Sequence, residues 1–282
     1  MTRTSVNQLL GYPDDARLLI INADDFGMSH SGNAATIKAF EHGILTSATL
    51  MMPCPWAPHA IELLRQHPNL PFGVHLTIVS EHDAMRWGPR ASRDKVSSLV
   101  DDEGYFLRNS QSRFLLDQAR LDEVEIEYRA QIEAVVATGL EPTHFDWHCL
   151  YDGGRDDIFD LTTALAREYG VAMRVHDPEK AERLISSGLP AVNRGVLDSY
   201  SVATEGKADT LTRLLRELPA GLSEWAVHPG LGDAEAQVME PFGWRVRASD
   251  LDFLTSHMAK ETFESENIIL VSYRDIRAEW KR

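Results

Sequence analysis

The 282-residue sequence predicts a single α/β domain over residues 1–282, a (β/α) barrel in the first place and an open doubly wound parallel sheet in the second. Three observations predict it. Apolar runs of strand length alternate with helix-length segments from end to end, residues that can do chemistry stand at the carboxyl ends of several runs, and no repeat, low-complexity tract or linker divides the chain. Parallel neighbours need a helical crossover. In both forms ligands bind at the carboxyl ends of the strands.

The first run, RLLIINA at 17–23, stops abruptly at Asp24, Asp25, Phe26 and Gly27, so a buried strand delivers two acids to a loop. A helix follows over 29–43, opened by capping residues and closed by Gly43. A second strand lies within 44–52, a helix over 55–66, and a third strand over 71–77 with His75 near its end. Periodicity is then lost over 79–120, a length that marks a lid or binding element and is read as a substrate-facing insertion with short helices. Over 122–137, Asp122 and Glu125 fit a capping box, and Val124, Tyr128, Ile132, Val135 and Val136 recur at helical spacing.

The next stretch, THFDWHC at 143–149, carries His144, Asp146 and His148 at alternate positions. On a strand these share one face, with Phe145, Trp147 and Cys149 on the other. Titratable groups on a buried face are costly unless paired or bound to a metal. A helix over 156–169 ends at Gly170, and strands follow at 171–175 and 196–200, with the surrounding 179–201 less regular. A helix at 207–218 leads to a strand at 223–227 that runs into His228, Pro229 and Gly230. A helix over 250–263, a strand at 268–272 and a short helix complete the chain.

Asp24 and Asp25, His75, His148 and His228 thus occupy the ends of separate strands, which share one face of a barrel. Two histidines and an aspartate form a three-ligand set for a catalytic divalent ion with an open water position. Such an ion yields hydroxide near neutral pH, and the spare carboxylate could take the water's proton. The other histidines, His30, His42, His59, His67, His82, His176 and His257, are read as surface or local hydrogen-bonding residues. Trp147 and Trp225 are expected beneath helices, and Trp87 and Trp244 in loops against a ligand.

A net charge of −15 argues against nucleic acid or an anionic membrane as partner. No signal-like apolar core and no uninterrupted run of about twenty apolar residues occurs, so a cytoplasmic protein is expected. Cys54 and Cys149 form no CxxC, which argues against a disulfide framework and cysteine-bound zinc. The sequence has no GxSxG elbow, Walker loop or GxGxxG after the first strand, so serine hydrolase, nucleotide hydrolase and dinucleotide chemistries lose their supports.

NADDFG at 22–27, GVHLT at 73–77, PTHFDWH at 142–148 and HPG at 228–230 together resemble the YdjC-like carbohydrate deacetylases, which include the chitooligosaccharide deacetylases. The resemblance implies a deformed (β/α) barrel that removes N-acetyl groups from amino sugars with a divalent metal ion, zinc or magnesium foremost. It implies Asp25, His75 and His148 as ligands, Asp24 as base, His228 as the acid that protonates the departing amine, and His144 and Asp146 as groups that orient the ligands. An N-acetylated sugar is the expected partner, with a homodimer the default assembly. Trp147 and Leu150 depart from the family's HxDSHxHxH pattern next to the substrate. The rivals are a phosphoesterase or other amidase on the same barrel, and a non-catalytic sugar-binding protein.

Overall fold

The structure, a computed structural model, describes residues 5–82 and 85–281. Asp83 and Ala84 of the expected insertion, the first four residues of the N-terminal segment and Arg282 lie outside the described residues. Eight parallel strands are formed among the described residues: β1 (Arg17–Phe26), β2 (Ser47–Leu50), β3 (Phe72–Leu76), β4 (His144–Trp147), β5 (Ala172–Met173), β6 (Val196–Asp198), β7 (Gly221–Val227) and β8 (Ile268–Leu270). They make one sheet in the order β5-β4-β3-β2-β1-β7-β6. β8 pairs with Arg17–Leu19 at the start of β1, and β2 pairs with Asn22, Ala23 and Phe26 toward its end. β7 runs along the first seven residues of β1.

The sheet curls into a half-barrel, and one side chain demonstrates the curl. In a flat sheet, β5 and β7 would lie about 24 Å apart, five steps of about 4.8 Å. Arg174, directly after β5, nevertheless places Nε 2.8 Å from Glu224 Oε1 on β7. Among the described residues β5 and β6 share no ladder, so charge bridges this seam where backbone hydrogen bonds do not. The result is the expected deformed barrel.

The helices form where composition and caps put them. His30–His42 starts with Ser29 Oγ accepting from Gly32 N, and Asp156–Tyr169 ends at Gly170 in the left-handed conformation (φ +60°). Leu121–Val136 buries Val124, Tyr128, Ile132 and Val135, but the expected Asp122–Glu125 capping box is absent. Asp122 instead pairs with Arg120 at 2.9 Å on the surface. The single helix expected over 250–263 is two, Trp244–Leu254 and His257–Ser265, because Ser256 Oγ accepts from Ala259 N and starts a new helix. Helices Pro178–Ser186 and Ala234–Met239, capped by Asp177 and Asp233, were not expected.

The 79–120 insertion contains three short 3-10 turns and the helix Ser112–Gln118, as expected. It is anchored by one face of Leu121–Val136. Glu127 accepts from Arg90 N and Ala91 N, both at 2.9 Å, and Glu123 accepts from Ser98 N at 2.6 Å. Gln131 meets both backbone groups of Thr77, and also Glu127. Glu127 and Gln131 are fully buried.

Candidate active site

At the carboxyl end of the sheet lies a cavity of about 430 Å³ that draws walls from the strand ends, the insertion and the 240–247 segment. Asp24, Asp25, His75, His148 and His228 all line it. Adjacent strand residues normally face opposite sides. Here β1 bulges between Ala23 and Phe26 and Asp25 takes φ +64°, a conformation aspartate tolerates, so both acids turn into the cavity.

His75 stands opposite Asp146 in the β3–β4 register, and its Nδ1 donates to Asp146 Oδ1 at 2.6 Å. That leaves His75 Nε2 toward Asp25 Oδ1, 3.5 Å away. His148 Nδ1 faces the same oxygen at 3.1 Å. Asp25 Oδ2 is held apart by Arg247 at 2.7 Å, so the carboxylate presents a single oxygen to the two imidazoles. Metal–donor bonds of about 2.1 Å, at angles between square and tetrahedral, put donors about 3.0–3.4 Å apart, close to these separations. The chemistry of the set, two imidazole nitrogens and one carboxylate oxygen within 4.8 Å of one another, fits a divalent cation.

Two other groups have comparable spacing, Asp24 with His75 and Asp146, and Glu81 with His148 and Cys149. In the former, both acids are already bonded to Arg174. In the latter, Glu81 is half-buried and Cys149 exposed, whereas Asp25, His75 and His148 are all buried.

Burial works against charge throughout the site, and partners overturn it. The Arg174 guanidinium meets Asp24 through two hydrogen bonds of 2.7 Å and holds it well below the usual carboxylate range. Asn22 adds a third at 2.8 Å. Asp25 is likewise held low against burial, chiefly by Arg247, with His148 and His75 adding. His75 is pushed up to about 9 against burial by Asp146. A proton on His75 must therefore leave before Nε2 can ligate.

Asp146 holds His75 and also takes Thr49 Oγ1 and Arg174. His144 sits deeper and makes no hydrogen bond to the three candidate ligands: Thr143 Oγ1 bonds its Nδ1, and its ring stacks on Tyr273 at 3.6 Å. Burial drives its pKa down to about 3, so it is neutral. His228 lines the cavity with Nδ1 on Ser199 Oγ.

Trp147 and Trp225 pack against Phe159 and Phe253 of flanking helices, as expected. Trp87 does not face a ligand: it is 2% exposed, bonds Val79 O and lies edge-on to His148, because the insertion folds back over it. Trp244 starts a helix and is outside the cavity wall. The aromatic lining comes instead from Trp147, Tyr151, Tyr200 and Phe242, and His82 and His176, read as bland, also stand on the wall. Arg174 and Arg247 were missed as well, although an arginine inside the apolar run VAMRV was an available signal.

A family model described as YdjC-like protein matches residues 18–265. A carbohydrate deacetylase of Thermoanaerobacter pseudethanolicus is 30% identical over 257 residues, covering 91% of this chain and 98% of that protein. A chitooligosaccharide deacetylase of Serratia marcescens is 29% identical over 263 residues, covering 92% and 99%. A solved structure from Enterococcus faecalis V583, named for cellobiose-phosphate cleavage, superposes with a TM-score of 0.78 at 29% identity, covering 93% of this chain and 99% of that one.

Proposed function

The chain belongs to the YdjC-like family, and we propose that it is a carbohydrate deacetylase, a metal-dependent hydrolase that frees acetate from an N-acetylated amino sugar or oligosaccharide. The observation that carries this reading is the convergence of Asp25, His75 and His148 on one point at the base of the cavity. These three residues would hold the cation, zinc or magnesium, with the two imidazoles favouring zinc. Bound there, it would acidify a water and polarise the acetyl carbonyl.

The chain's own groups do the rest. Asp24 accepts a proton from the attacking water as the C–O bond forms; Arg174 and Asn22 keep it ionised and fix its orientation. His228 gives a proton to the nitrogen as the C–N bond breaks, so acetate and a free amine leave. Arg247 keeps Asp25 to one donor oxygen, and Asp146 keeps the His75 proton on Nδ1, leaving Nε2 to ligate. Tyr151, 62% exposed, and Phe242, 98% exposed, offer ring faces at the mouth for a sugar. No helix among the described residues is long and apolar enough to cross a membrane, and Cys54 and Cys149 are both free, which fits the reducing cytoplasm.

The test is an acetate-release screen over N-acetylated mono- and oligosaccharides with zinc, magnesium, manganese, cobalt and nickel, with phosphate and ammonia release followed in parallel. Acetate release is expected. Release of phosphate or ammonia without acetate would overturn the reading. Asp24→Asn should bind metal and lose roughly a hundredfold to ten-thousandfold in turnover.

A further inference from the structure

Behind His228 lies a chain of buried groups that the acetyl-transfer chemistry above does not use. Ser199 Oγ is 3.1 Å from His228 Nδ1 and 2.6 Å from Asp250 Oδ2. The same Asp250 oxygen accepts the His228 backbone N–H at 2.9 Å, and Asp250 Oδ1 meets Lys207 Nζ at 2.5 Å. Ser199, Lys207 and Asp250 are each no more than 2% exposed. They come from three separate segments: the turn after β6, the first residue of the helix Lys207–Arg216, and the helix Trp244–Leu254. Of the other acids that face the ring, Asp198 stands 3.9 Å from Nδ1, beyond hydrogen-bond reach, and Asp24 lies across the cavity.

The direction of each hydrogen bond follows from counting protons. A carboxylate paired with a buried ammonium only accepts, and a serine hydroxyl has one proton to give. That proton goes to Asp250, since the 2.6 Å contact has no other donor. Toward His228, Ser199 Oγ can then only accept, so the proton between them sits on Nδ1.

We infer that Ser199, anchored by Asp250 and Lys207, is a positioning residue that fixes His228 as the Nδ1–H tautomer, so that Nε2 is the nitrogen that gains and loses the catalytic proton. The Asp250 bond to the His228 backbone sets the ring's origin, and the Ser199 bond sets its rotation. Two constraints from one carboxylate oxygen thus define where the proton is delivered. A structural role alone would hold the segment in place but would not require one tautomer. This inference rests on the proposed role of His228 as the acid.

The test reads the tautomer directly. Long-range ¹H–¹⁵N correlation of histidine-labelled protein, with His228 assigned by its loss in His228→Ala, should show neutral His228 with a protonated Nδ1 and a bare Nε2. In Ser199→Ala that preference should be lost. A wild-type His228 protonated on Nε2 overturns the inference without any variant, and an unchanged Ser199→Ala pattern does the same.

Kinetics separate this inference from the role it rests on. The probes are an N-acetylglucosamine oligosaccharide, whose amine must be protonated to leave, and 4-nitrophenyl acetate, whose phenolate leaves without a proton. Ser199→Ala should lower the amide-to-ester ratio of kcat at least about tenfold with KM for the amide unchanged, a share of the roughly hundredfold to ten-thousandfold worth of general acid catalysis. His228→Ala should lower it further. If His228→Ala leaves the ratio intact, the acid role falls; if His228→Ala lowers it and Ser199→Ala does not, the positioning role falls.

Discussion

Arg174→Met removes one positive charge from among three buried carboxylates. The guanidinium is 2% exposed and lies 2.7 Å from each Asp24 oxygen, 2.9 Å from Asp146 and 2.8 Å from Glu224. Breaking a buried pair from one side costs about 3–5 kcal/mol, because the remaining charge stays desolvated. Here three anions lose a shared partner, so about 5 kcal/mol is expected. Unfolding entropy of about 2.1 cal/mol/K per residue gives about 0.6 kcal/mol/K for 282 residues, so Tm should fall by roughly 8 °C. Urea unfolding at pH 7 followed by circular dichroism, together with a thermal scan, measures both. Burial already pushes the pKa of Glu224 up, so adding Glu224→Gln removes a charge held at a disadvantage and should recover about 1–2 kcal/mol, within the range of neighbour coupling. A loss below about 1 kcal/mol in Arg174→Met, or no recovery in the double variant, would refute the claim that Arg174, by tying β5 to β7, holds the seam between β5 and β6.

If the proposed site holds a divalent cation, elemental analysis should find it in the purified parent and not in His148→Ala or Asp25→Asn; full occupancy in either variant would exclude that ligand. Gly73→Ala would put a Cβ 2.5 Å from the His144 backbone oxygen and 2.6 Å from its ring, on the strand next to β4. It should cost about 1–3 kcal/mol in urea unfolding and weaken metal binding measured by titration calorimetry, since His75 and Asp146 meet across that spacing. Asp152 faces His176 Nδ1 at 3.4 Å and accepts from His176 N and Asp177 N, and against burial the His176 side chain first, then the two amides, lower its pKa. A carboxyl with a depressed folded pKa stabilises above its unfolded pKa and loses that contribution as pH falls through the folded value. Asp152→Asn should therefore cost about 1–3 kcal/mol at pH 7, and the gap from the parent should narrow below about pH 4; a gap independent of pH would refute the assignment.

The strand ends were readable because an apolar run of β-length has to stop where the first charged residue enters. That rule alone sets Asp24, Asp25, His75, His148 and His228 on one face. What lay beyond reading was the set of partners. Arg174 meets Asp24 and Glu224 because the sheet curls, and Arg247 reaches Asp25 from a helix more than two hundred residues along the chain. An arginine inside VAMRV signals a buried charge but not which acids it meets, and Arg247 carries no such signal. Two strand neighbours entering one cavity likewise depended on a bulge, and the alternation rule gives no warning of one. Trp87 was misplaced for a related reason: a loop without periodicity gives no sign of folding back on itself. The break at Ser256 was available in principle, since serine followed by a helical run is a cap, but the surrounding apolar spacing favoured continuity.

The insertion's attachment has a consequence for how such a protein can change. Leu121–Val136 grips it through main-chain amides, those of Arg90, Ala91 and Ser98. Since every non-proline residue supplies the same amide, the bonds to Arg90 and Ala91 do not depend on the side chains there, while Ser98 is also held through its Oγ, which accepts from Arg120 N at 3.0 Å. The wall that contributes Glu81 and Asn109 to the cavity can therefore be rewritten for a new sugar, or exchanged wholesale with a relative's loop, while its moorings stay as they are.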